Sequence, residues 1–268
     1  MSKTEIVSII NQKGGVGKTT TAINLAAGLA LKNKKILVID LDPQGNATTG
    51  LGLLNSENSD KTIYGVLNGT KNILEVIKNT QFQNLDLVSS NVDLSGLEVE
   101  TAGDNKRAFI LKDQIMAYLK DFRGKYEYIF IDCPPSLSLL TVMALVASNS
   151  LVVPLQTEFF ALEGLTQLMK TIERIKINLN SQLKIKGILL TMYDKRNKLS
   201  GQVEKEARDY FKEKVYSTII PRNVRLSEAP SHGVPVLIYD KLCTGSKSYF
   251  NFAEEFLNKK EETYESAA

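Results

Sequence analysis

Short runs of isoleucine, valine and leucine alternate along the chain with longer stretches in which apolar residues recur every three or four positions. The short runs predict strands over residues 5–11, 35–40, 85–89, 128–132, 150–154, 185–192 and 215–221. Most carry no polar alternation, the pattern of parallel strands covered on both faces. The longer stretches predict helices over residues 19–31, 107–120, 139–147, 162–177, 201–211 and 246–258. Strand and helix in alternation argue an α/β fold, a mostly parallel twisted sheet with helices on both faces and right-handed crossovers. Residues 51–70, rich in glycine, asparagine and serine, read as a mobile loop with a short helix. No stretch has linker composition and no period repeats, so a single domain over residues 1–260 is expected, followed by a polar, frayed tail at 261–268.

Composition narrows the class. The chain has 268 residues, 43% hydrophobic and 24% charged, which excludes disordered, collagen-like and low-complexity proteins. Two cysteines, Cys133 and Cys243, are too few for a disulfide framework or a cysteine-built metal site, and suit a reducing compartment. The apolar residues at 6–10 are interrupted by Ser8 and are too short for a signal-peptide core. No run approaches the roughly 18 apolar residues of a membrane span. A cytoplasmic protein is expected.

The strongest chemical signal is Gln12-Lys13-Gly14-Gly15-Val16-Gly17-Lys18-Thr19-Thr20, lying between the first predicted strand and the first predicted helix. Backbone N–H groups of such a loop converge on phosphate oxygens, and the positive end of the helix adds to the attraction. Glycine is needed where a Cβ would hold the backbone away from the phosphate. Lys18 is placed to reach the β and γ phosphates, and the Thr19 hydroxyl to ligate Mg²⁺. The strict P-loop pattern has glycine where this chain has Gln12, and the loop carries a second lysine, Lys13, at its entrance.

Two apolar runs end in aspartate. The run at 35–40 leads into Asp40-Leu41-Asp42-Pro43-Gln44-Gly45-Asn46, and carboxylates at a strand's C-terminal end lie where α/β sheets place their ligands. Asp42, before a Pro-Gln-Gly turn, suits a switch loop that orients water near a γ phosphate. Asp40 reads either as a loop-structuring carboxylate or as a support for the site. Tyr128-Ile129-Phe130-Ile131-Asp132 has the Walker B pattern, with Asp132 holding Mg²⁺ through water or bonding Thr19. Cys133 beside it reads as a packing residue, and His232, with no nucleophile context, as structural.

In residues 13–20 the chain resembles the deviant Walker A ATPases, the family of ParA, Soj and MinD and, more distantly, of the nitrogenase iron protein. The resemblance implies a P-loop NTPase that binds ATP and Mg²⁺ through Lys13, Gly14, Gly15, Val16, Gly17, Lys18, Thr19 and Thr20. It implies an ATP-dependent homodimer in which Lys13 reaches the nucleotide of the opposite subunit and Gly14 faces that subunit closely. It also implies that Asp42 serves hydrolysis together with Lys13 and Lys18.

Charge is unevenly spread. Residues 181–225 hold eleven basic and five acidic side chains, a net +6, which leaves −3 on the remainder of a chain whose total is +3. Such asymmetry suits a phosphate-backbone surface or, more plainly, a solvated helix face. The segments at 189–194 and 219–231 resemble Soj-type chromosome-partitioning ATPases in particular, and Phe-Phe-Ala-Leu-Glu-Gly at 159–164 also fits, so the resemblance runs over residues 6–257. It implies that Pro221 and Asn223 hold the adenine and that Arg196 and Arg225 bind non-specific DNA. It implies a ParB/Spo0J-type centromere-binding partner that stimulates hydrolysis, and nucleoid association when ATP is bound.

Two other classes are weighed against this one. A MinD-like membrane-surface ATPase needs a basic, apolar amphipathic helix at the carboxyl end, whereas residues 258–268 are acidic and short of apolar anchors; no membrane binding is expected. An iron–sulfur reductase needs cysteines shared at a dimer axis, and Cys133 and Cys243 do not offer that arrangement. The absence of an amino-terminal DNA-reading extension favours the short, chromosomal type, although plasmids also carry short versions, so chromosome and plasmid cargo both stay open.

Overall fold

The computed structural model describes residues 4–53 and 61–259. Residues 54–60 of the glycine-rich segment and the tail at 261–268 lie outside the described residues. The first half of the chain runs β1 (Glu5–Ile9), α1 (Lys18–Leu31), β2 (Ile36–Asp40), α2 (Asn46–Gly50), α3 (Ile63–Leu67), α4 (Ile73–Val76), β3 (Ile77–Asn79), β4 (Leu85–Val88), α5 (Leu97–Glu100) and α6 (Ile110–Asp121). The second half runs β5 (Tyr128–Asp132), α7 (Leu139–Ala147), β6 (Ser150–Gln156), α8 (Ala161–Asn178), β7 (Lys184–Tyr193), α9 (Lys198–Phe211), β8 (Val215–Pro221), α10 (Val224–Glu228), α11 (Val236–Tyr239) and α12 (Thr244–Asn258).

The eight strands form one sheet in the order β3-β4-β2-β5-β1-β6-β7-β8. Every pairing is parallel except that of β3 with β4 at the edge. Successive strand residues face opposite layers, and both layers are apolar. Leu37, Ile39, Ile129 and Ile131 pack on the face covered by α6, α7, α8 and α9. Val38, Phe130 and Val152 pack on the face covered by α1, α11 and α12. Burial on both faces is the physical reason the strands read as unbroken apolar runs.

Sheet register sets the functional edge. Asp132 at the end of β5 stands level with Asp40 on β2 and with Ile9 on β1, just before the glycine-rich loop. Strands β6, β7 and β8 end on the same edge, at Gln156, Tyr193 and Pro221.

Close packing between β7 and β8 gives a stability test. A Cβ built on Gly187 would collide with the Tyr216 ring, lying 2.7 Å from its Cζ atom. That ring is fully buried and packs edge-on against Phe252 at 4.8 Å between centroids. Gly187→Ala is expected to lower the unfolding free energy by about 1–3 kcal/mol. The urea midpoint should fall at unchanged slope; a midpoint equal to that of the parent protein would show that Tyr216 yields freely. Among the described residues no helix is long and apolar enough to cross a membrane.

Candidate functional site

The loop after β1 is fixed by its neighbours. Asn11 donates to the Pro154 carbonyl at 2.7 Å and accepts the Lys13 amide at 3.0 Å. Thr191 on β7 donates to the Val16 carbonyl at 2.9 Å, so the loop is tied to the strands on its flank. Gly15 and Gly17 take φ of 74° and 89°, the left-handed region that a Cβ disfavours. Gly17 is the N-cap of α1 and no side chain caps that helix, which leaves its first N–H groups facing the loop without a side-chain acceptor. Gly14 has ordinary room in its own chain, since a Cβ there would lie 3.7 Å from Pro135.

Lys18 is 6% exposed, and its ammonium donates to the Lys13 carbonyl oxygen at 3.0 Å. Burial lowers its pKa, and the charge of Asp132 is the leading influence pulling it back up. The Lys13 ammonium forms an ion pair with Glu158 of the same chain, just after β6. Nothing in the local sequence singles out Glu158, and only the fold brings it to the loop.

Asp132 is fully buried, and the Thr19 hydroxyl is the polar side chain that faces its carboxylate. Burial raises its carboxyl well above the ordinary range and nearby Asp40 adds to this, while Thr19 and then Lys18 favour the charged form. Asp40 is the structural member of the set. Its carboxylate accepts the Asp42 amide at 3.2 Å and both the amide and hydroxyl of Thr48 at 2.7 Å. The Thr48 hydroxyl in turn accepts the Ser90 amide at 3.0 Å. These contacts structure the loop, and the bond to the Asp42 amide also supports the site; burial raises the Asp40 carboxyl to about 6 against these hydrogen bonds. Asp42 is nearly buried, and its Oδ1 accepts the Gln44 amide at 3.0 Å, closing the turn. Cys133 is a buried packing residue whose thiol is pushed up to about 12, chiefly by burial, so it stays protonated.

A cavity of about 500 Å³ opens beside the loop, and Gly17, Thr19, Thr20, Met192, Pro221 and Asn223 line it. That volume lies in the range of small-ligand sites. Met192, at φ 52°, turns in the left-handed region at this wall. Pro221 and Asn223 thus stand on the wall of the cavity beside the glycine-rich loop. The Asn223 carboxamide, however, is occupied at both ends: its oxygen accepts the Arg225 amide at 2.9 Å and its nitrogen donates to Thr244 at 2.8 Å.

A second depression of about 990 Å³ adjoins the first, with Lys195, Arg196 and Arg222 on its walls. Arg196 makes a two-point ion pair with Asp194, at 3.0 and 2.8 Å. That contact holds Asp194 down to about 2. Arg225 does not line this groove. It sits on α10, where its guanidinium meets Glu228 at 2.7 Å and Asp240 at 3.5 Å.

A family model described as an AAA domain matches residues 4–185. The chain is 49% identical over 263 residues to the chromosome partitioning protein ParA of Caulobacter vibrioides, covering 98% of this chain and 97% of that protein. It is 47% identical to the sporulation initiation inhibitor protein Soj of Bacillus subtilis, covering 94% and 97%. Among solved structures it resembles the cobyrinic acid a,c-diamide synthase of Mycobacterium smegmatis with bound ADP and magnesium, with a TM-score of 0.80 and 31% identity over 95% of this chain and 94% of that one. With its glycine-rich loop, its paired strand-end carboxylates and about half its residues identical to ParA and Soj over nearly the whole length of each chain, the chain belongs to the ParA/Soj family of chromosome-partitioning ATPases.

Proposed function

We propose that this ATPase is a nucleotide-gated DNA clamp for partitioning, which binds DNA when loaded with ATP and releases it on hydrolysis. The observation that carries the reading is the shared wall at Pro221, Arg222 and Asn223, which separates the loop-side cavity from the basic groove. A ligand in one is thereby in direct reach of the surface offered to the other.

ATP and Mg²⁺ fit the residues present. The loop offers N–H groups at Gly14 to Thr20, and the buried carboxylate of Asp132, with the Thr19 hydroxyl beside it, suits a hydrated cation. Bound there, Mg²⁺ supplies charge neutralisation on the phosphates. Lys18 leaves the Lys13 carbonyl for phosphate oxygens, a charge-assisted exchange. Asp42, fixed by Gln44 and Asp40, orients the attacking water. The Pro221 ring and the main chain at Asn223 hold the base, because the Asn223 carboxamide is already engaged.

In the reading taken from the family, Lys13 exchanges Glu158 for the nucleotide of a second subunit, and Gly14 lies against that subunit. Closure of the homodimer joins two basic surfaces, and doubling the phosphate contacts multiplies affinity for non-specific DNA at moderate salt. A ParB/Spo0J-type protein stimulates hydrolysis and resets the switch, and the ATP-bound form is nucleoid-associated. Arg196 must exchange Asp194, and Arg225 must exchange Glu228 and Asp240, for DNA phosphates. Exposed ion pairs of this kind resist exchange weakly.

Arg196→Ala and Arg225→Ala are each expected to abolish ATP-dependent DNA binding while ATP binding persists. The pair is checked by a mobility-shift assay beside a nucleotide titration. Normal DNA binding by both variants would remove the two arginines from the DNA surface.

A further inference from the structure

Pro221, Arg222, Asn223 and Ser227 line both the nucleotide cavity and the basic groove, and of these only Arg222 carries a charge. The Arg222 amide donates to the Tyr193 carbonyl at 3.0 Å. The loop that bears it is thus fastened to the loop that bears Asp194, Lys195 and Arg196. The two flanking arginines are engaged, Arg196 by Asp194 and Arg225 by Glu228 and Asp240. Arg222 is exposed and has no carboxylate at ion-pairing distance among the described residues. The groove it borders also presents the hydroxyl groups of Ser217, Thr244 and Ser248, which suit phosphate oxygens.

We propose that Arg222 is a DNA-phosphate ligand, and that nucleotide in the adjoining cavity directs its guanidinium into the groove. The side chain has two volumes open to it. A nucleotide that fills one excludes the guanidinium from that side, and the population shifts to the other. A guanidinium in the groove is a strong phosphate ligand. This coupling acts within one chain, so it adds to whatever dimer closure contributes. It rests on the DNA-binding reading above, to which it adds a residue and a route.

The test uses the full chain and a random-sequence duplex of about 30 base pairs, followed by fluorescence anisotropy across a KCl series with and without ATP. With ATP, Arg222→Ala should weaken DNA binding about tenfold or more. It should also lower the slope of log K against log salt by about two for a dimer, since each protomer loses one phosphate contact. Without nucleotide the same substitution should change affinity less than about twofold, and ATP affinity measured without DNA should not fall, because ATP then has no guanidinium to displace from its cavity. Arg222→Lys should restore the salt slope, which separates loss of charge from misfolding. An unchanged slope with ATP, an equal loss in both nucleotide states, or a fall in ATP affinity that accounts for the DNA defect would each overturn the proposal. If Arg222→Ala behaves as the parent protein while Arg196→Ala loses DNA, only this inference falls. If the parent protein shows no ATP-dependent DNA binding, the reading beneath it falls too.

Discussion

Lys18→Ala is expected to abolish nucleotide binding. The lysine is almost fully buried at the start of α1, where burial lowers its pKa and the carboxylate of Asp132 helps to keep it charged. Its ammonium is held by the Lys13 carbonyl, an acceptor that phosphate oxygens readily outcompete. Each charge-assisted hydrogen bond to phosphate contributes about 1.5–3 kcal/mol. Loss of two such bonds weakens binding by roughly a hundredfold or more. Fluorescent ATP-analogue titration checks this. The fold should survive, because the substitution removes a buried charge from the loop and leaves both sheet layers intact. A dissociation constant within about threefold of the parent protein's would show that Lys18 does not hold the phosphates.

The second large effect is expected at Asp42. Asp42→Ala should leave ATP binding intact, slow hydrolysis by roughly a hundredfold to ten-thousandfold, and leave the protein trapped on DNA. The loop should not collapse, since Asp40 still holds the residue 42 amide and Thr48 from a buried position. Asp42→Asn provides the control: its carboxamide oxygen can still accept the Gln44 amide, but the charge is gone. Phosphate release and DNA retention together read the outcome. Rapid turnover by both variants would exclude Asp42 from the mechanism.

Much of the fold is legible in the sequence because its determinants are local. Strands at 128–132 and 215–221 and the helix at 139–147 match β5, β8 and α7 end for end. Continuous apolar sequence is what two covered faces require. The edge strand β3, Ile77-Lys78-Asn79, escapes sequence reading because three residues with two polar members carry no period, and antiparallel pairing to β4 creates it. Helix α9 begins three residues earlier than its apolar pattern, at an Asn197 cap whose side chain accepts the Leu199 amide. The predicted helix at 107–120 opens with a 3₁₀ turn at Arg107–Phe109 before α6.

The candidate site divides in the same way. The glycine-rich loop and Asp132 can be read from strand–loop–helix order alone. The ion pair of Lys13 with Glu158, the tie from Thr191 to Val16 and the double exposure of Arg222 depend on strands far apart in sequence. The contacts of Asp40 with Thr48, and of Thr48 with Ser90, are ones that only the fold gathers. Residue counting locates the basic segment but not its ion pairs, and those decide which arginines must exchange a carboxylate for phosphate.

A nucleotide-gated clamp must bind DNA in one nucleotide state and not in the others. A mobility-shift series on one non-specific duplex, run with ATP and Mg²⁺, with ADP and Mg²⁺, and without nucleotide, should show tight binding in the first case alone. Equal binding in all three would contradict the account.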